Sequence, residues 1–115
     1  MLSRNLKFDL FFIFTAGIIN ESMVYMTLLE DLRMIDSAID QYAIETNKTT
    51  GAPCDWVDVQ KYLKVGSTLY NSAHTDLLGS DLGATFAVDT IPVVPTATFN
   101  ALSDVAPAAF WSPFK

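Results

Sequence analysis

One cysteine, one histidine and seven basic residues among 115 set the first limits on what this chain can do. With Cys54 alone, no internal disulfide forms and no multi-cysteine zinc site can be built. His74 alone removes every metal centre that needs two or three imidazoles. Thirteen acidic residues outweigh the seven basic ones, for a net charge of -6. That is the wrong sign for a nucleic-acid partner, whose phosphates require clustered Lys and Arg. There is no P-loop, no G-x-G-x-x-G, no H-E-x-x-H and no G-x-S-x-G. The chain is therefore expected to be no enzyme and to carry no catalytic residue, metal or cofactor. What is plentiful is apolar: half the residues are hydrophobic and only 17% are charged. The length suits one domain able to bury a core without staples. The apolar excess points to surface meant for a membrane or for neighbouring subunits.

Part of that excess is concentrated near the N-terminus. Residues 10–20, LFFIFTAGIIN, carry no charge and follow Arg4, Lys7 and Asp9. The run Leu10–Ile19 would be roughly 15 Å long as a helix, against the ~20 residues a spanning helix needs. It resembles the apolar core of a signal peptide, although no A-x-A site follows. Extended to Leu29 it reaches spanning length, interrupted by Asn20 and Glu21. Residues 1–22 are thus read as an apolar N-terminal segment, either an anchor, a signal-like stretch or a segment packed on the domain. Residues 23–115 are read as the globular domain, and membrane contact, if made, is expected through residues 10–29.

Residues 23–46 carry the strongest periodic signal. Leu28, Leu32, Ile35, Ile39 and Tyr42 recur at spacings of four and three, a helical stripe, with Glu30, Asp31, Arg33, Asp36, Asp40 and Glu45 on other faces. Gly and Pro are absent from the segment, and Asn47, Lys48 and Gly51 supply its stop. Asp55 is a suitable N-cap for a second helix ending at Gly66, with Val57, Val59, Tyr62 and Leu63 as its apolar side and Trp56 docking it on the long helix. Residues 67–83 are rich in turn formers. Thr85-Phe86-Ala87-Val88 reads as a strand, and 96–105 as a third helix with Phe99, Leu102 and Val105 on one face. The tail APAAFWSPFK contains two prolines that rule out a central strand, so it is expected in a groove or along a sheet edge. Trp56, Tyr62, Phe86, Phe99 and Trp111 are the expected core anchors. The segregated order of elements predicts an α+β class: a long N-terminal helix packed on a small antiparallel sheet, with short helices and a turn-rich C-terminal half.

Chemical constellations are sparse. Ser72, His74 and Asp76 have the residue types of a triad, but they are i, i+2 neighbours in a turn, whereas triads are assembled from distant segments. Cys54 has no basic neighbour to lower its pKa. Asp76, Asp81, Asp89 and Asp104 lie in or near turns, where Asp serves local hydrogen bonds. They lack the closely grouped D-x-D-x-D-G pattern of a calcium loop. Asn47-Lys48-Thr49 and Asn20-Glu21-Ser22 fit the glycosylation sequon, a pattern short enough to arise by chance.

Four segments together resemble a known family. LRMIDSAIDQYAIETNKTTG (32–51), DWVDVQKYL (55–63), TDLLGSDLGATFAV (75–88) and FWSPF (110–114) are similar to the pseudopilin-like proteins of bacterial type II secretion, within the type IV pilin-like superfamily. The stretch TDLLGSDLG resembles that family's D-x-x-G-N-P-Y segment, with Ser80, Asp81 and Leu82 in place of Asn, Pro and Tyr. The N-terminus departs from the family, which has a basic leader and then G-F-T-L-I-E ahead of an apolar run. The nearest approach, Gly17 to Glu21, has the acid four residues on rather than five, and its apolar run lies before it. Residues 1–27 are accordingly expected to be a divergent anchor or the product of a misplaced start. The resemblance implies a lollipop fold and a structural subunit of a type II secretion or pilus-like envelope assembly. It would be located at the inner membrane or periplasm, with other pilin-like subunits as partners. The helix would pack against those neighbours through Leu28, Leu32, Ile35, Ile39 and Tyr42. The alternative is a small periplasmic or secreted binding module that kept the head and lost assembly.

Overall fold

The computed structural model describes residues 21–115. The apolar run 10–19 and the N-terminal segment 1–22 lie outside those residues, apart from the first two residues of the long helix. Helix α1, Glu21–Thr46, runs 26 residues without Gly or Pro, roughly 39 Å. One face sinks completely, with Leu28, Leu32, Ile35 and Ile39 all buried. The opposite face, through Met26, Glu30, Arg33, Ser37, Gln41 and Ile44, is exposed. Asn47 ends the helix in the left-handed conformation (φ +57°). Behind it the Lys48 N–H reaches back to the Ala43 carbonyl at 2.9 Å, the 6→1 bond that satisfies an orphan helix carbonyl.

The sheet has two strands. β1 (Pro53–Asp55) pairs antiparallel with β2 (Thr85–Ala87), Cys54 standing opposite Phe86. The chain is α+β: a long N-terminal helix, a small antiparallel sheet and short helices. β1 falls where the sequence suggests the approach to a helix, since three residues are too few to show a period. Val88, expected in the strand, lies just past it. It still exchanges hydrogen bonds, its N–H with the Ala52 carbonyl at 2.9 Å and its carbonyl with the Gly51 N–H at 3.0 Å.

Helix α2 (Trp56–Gln60) starts where expected, after Asp55, whose N–H donates to Asp58 Oδ2 at 3.1 Å. It stops well short of Gly66. Tyr62 and Leu63 belong to tight turns closed by the Val59 and Gln60 carbonyls, and Val57 faces solvent rather than the core. A further single turn, α3 (Thr68–Asn71), is opened by Ser67, whose hydroxyl accepts the Tyr70 N–H at 3.2 Å. Helix α4 is Thr96–Ala101, shorter than the expected 96–105. Leu102 and Val105 keep the apolar spacing while the chain is already turning, with the Leu102 carbonyl taking the N–H groups of Val105 and Ala106. The tail forms one helical turn, α5 (Ala108–Trp111). Trp111 is 0% exposed, and its indole N–H donates to the Ala106 carbonyl at 3.1 Å. Beyond it the Phe114 carbonyl accepts the Val94 N–H at 2.7 Å.

The core is one cluster laid along α1, with Cys54, Trp56, Val59, Leu82 and Trp111 among the residues that cover the stripe. Of the expected anchors, Trp56 and Trp111 are buried. Tyr62, Phe86 and Phe99 are only half-buried at its margin. Two of these three margin positions have a visible reason. Tyr62 spends its hydroxyl on Glu45 Oε1 at 3.1 Å, and Phe99 presents its ring face to the Lys115 ammonium at 4.6 Å, a favourable cation–π geometry.

Candidate functional site

Two parts of the molecule bear on function: the surface of α1 and the turn around Asp76. The apolar stripe expected to meet neighbouring subunits is spent inside the domain. Leu28, Leu32, Ile35 and Ile39 are covered by the domain's own residues, and Tyr42 is half-buried beside them. The four aliphatic members of the stripe keep at most 2% of their surface accessible, and Tyr42 alone of the stripe is partly exposed. Leu28 and Leu29 are likewise withdrawn from the stretch 10–29 expected to touch a membrane. The apolar side chains that α1 leaves outside are Met23 (48% exposed), Met26 (60%) and Ile44. Among the described residues no helix is long and apolar enough to cross a membrane.

The Asp76 turn is built by a carboxylate in an unusual place. Asp76 is buried, and each oxygen has work. Oδ1 accepts the N–H groups of Leu78 and Ser80, both at 2.9 Å, and Oδ2 accepts the Thr98 hydroxyl from α4. Burial pushes the Asp76 carboxyl up, while these bonds pull it down, Thr98 foremost. The turn is closed further out by a bridge between Thr75 and Asp81 and by the Leu82 N–H donating to the His74 carbonyl at 2.7 Å. Local bonds for Asp76 accord with the sequence; the tie to Thr98, 22 residues away, has no sequence signal. Asp76→Ala is expected to cost on the order of 2–4 kcal/mol, because two turn N–H groups and a hydroxyl lose their acceptor. Asp76→Asn should cost less. Urea unfolding of the two variants checks the ranking.

The residues that could pass for a triad do not converge. His74 Nδ1 pairs with Asp81 Oδ1 at 2.7 Å, Asp76 is turned to Thr98, and the Ser72 hydroxyl donates to the Leu69 carbonyl at 2.7 Å. The Gly83 N–H first, and then His74, hold the Asp81 carboxyl below its ordinary range. Ala73 and His74 both sit at positive φ, +55° and +58°, a backbone cost that non-glycine residues bear only where the surroundings fix it. Cys54 is fully buried; burial, and then Asp58 and Asp55, push its thiol up to about 11. A thiol so protonated is a poor nucleophile. Among the described residues no three His, Cys, Asp or Glu side chains converge to hold a metal ion.

No family model, no curated protein and no solved structure matches the chain.

Proposed function

We propose that this protein is a structural subunit of a pilin-like envelope assembly, related to the pseudopilins of type II secretion, and that it works by packing rather than catalysis. The observation that carries this reading is the division of labour along α1. Its inner stripe fastens a small α+β head to the helix over most of its length. Its first turns leave Met23 and Met26 exposed at the end next in sequence to the apolar run 10–19. Exposed apolar side chains that follow such a run in sequence favour contact with lipid or another subunit. The four resembling segments support the same assignment. In the structure they form α1 with its cap, the β1–α2 corner, the Asp76 turn with β2, and the sealing tail.

The test separates assembly from folding. Met26→Arg adds a charge to an exposed position, so the melting transition should stay within ~0.5 kcal/mol of wild type. Co-purification of other pilin-like subunits with the full chain from bacterial envelopes should fall several-fold. A wild-type chain recovered only as a soluble monomer, with no such subunit attached, overturns the assembly reading.

A further inference from the structure

The side chains that α1 leaves exposed in its first turns, Met23 and Met26, both carry sulfur. They stand three residues apart, neighbours on one face of the helix. They are 48% and 60% exposed, and neither belongs to the core cluster. The other sulfur atoms among the described residues are further from solvent. Met34 is half-buried and packs against the core. Cys54 is 0% exposed, and burial, then Asp58 and Asp55, keep its thiol protonated. Oxidation of methionine and cysteine follows exposure and, for cysteine, thiolate character. An oxidant in solution therefore meets sulfur first at the start of α1 and not in the core.

We propose that Met23 and Met26 form a reversible oxidation site, at which hydroperoxides switch off the contact of α1 with a neighbouring subunit and a dithiol-driven sulfoxide reductase switches it on again. The thioether sulfur attacks an oxygen of the peroxide. An S–O bond forms, the O–O bond breaks, and sulfur gives up two electrons to the peroxide, which leaves as water or an alcohol. The return step takes two electrons and two protons from a pair of thiols, which become a disulfide, and releases the oxygen as water. Each cycle exchanges a flexible apolar side chain for a polar one and back. Because both side chains lie outside the core cluster, the head stays folded in either state. The site rests on the assembly reading, since it regulates the surface that reading uses.

Hydrogen peroxide applied to the full chain tests it, with oxygen uptake located by mass spectrometry of peptides. Met23 and Met26 should be oxidised several-fold faster than Met34, with no change in circular dichroism. The oxidised chain, freed of peroxide and returned to bacterial envelope extracts, should capture pilin-like subunits several-fold less than untreated chain. Capture should recover after treatment with a methionine sulfoxide reductase and dithiothreitol. The double variant Met23→Leu, Met26→Leu keeps the apolar contact without an oxidisable sulfur, so peroxide should leave its capture unchanged. Oxidation of Met34 at an equal rate, or undiminished capture by chain oxidised at both positions, overturns the site. So does a double variant that loses its partners to peroxide as wild type does. Untreated wild type that captures no pilin-like subunit overturns the assembly reading itself, and the switch falls with it.

Discussion

Ile35→Asp is expected to leave the protein unfolded at 25 °C, while Ile44→Asp, a charge added in the last turn of the same helix, costs no more than ~1 kcal/mol. Ile35 has no exposed area and Ile44 is 79% exposed. Both changes exchange the same atoms in the same helix, so helix propensity cancels from the comparison. At Ile35 the new carboxylate would be surrounded by Leu28, Leu32, Ile39 and the other residues of the core cluster. It must either stay charged without a partner or take up a proton at neutral pH, in addition to losing the isoleucine's own burial. Together these cost ~4 kcal/mol or more. A small domain has only about 5–15 kcal/mol in total. Circular dichroism and urea titration of the two variants decide the matter; comparable stabilities would show that the stripe is not the core.

Trp111→Ala should be nearly as damaging, at about 3–5 kcal/mol. The indole is fully enclosed and packs edge-on to Phe110, which in turn meets Tyr25 on α1 edge-on at 4.8 Å. Its removal leaves a cavity and strips the Ala106 carbonyl of its donor. Trp111→Phe keeps much of the volume and loses only the hydrogen bond and one ring, so its midpoint in urea should fall between those of wild type and the alanine variant.

The long helix was legible because two dozen residues repeat one spacing without a breaker, and Asn47 marks its end. What covers the stripe was not legible, since Leu28, Leu32, Ile35 and Ile39 read the same whether their own domain or a neighbour buries them. The short elements differ from their expected bounds for a related reason. In 61–63 and 102–105 the apolar residues continue at helical spacing after the helix has stopped, because tight turns can also point side chains inward. The strand at 53–55 and the turn at 108–111 are each under one useful period of their pattern. Around Asp76, the local turn bonds accord with the sequence, but the longer ties do not show in it. His74 meets Asp81, seven residues on, across the turn, and Asp76 meets Thr98 on another helix, partners set by tertiary closure that local spacing does not encode.

The sealing of the core by Trp111 and Phe114 also bears on how the chain comes into being. The stripe that needs covering is synthesised first, and a large aromatic part of its cover is synthesised near the opposite end of the described chain. Until that segment has emerged, a nascent chain with α1 already formed presents a row of leucine and isoleucine side chains to its surroundings. Closure must then bridge almost the full sequence separation available, the kind of long-range contact that slows folding. The interval before closure is when this protein would be most exposed to aggregation and most in need of a chaperone.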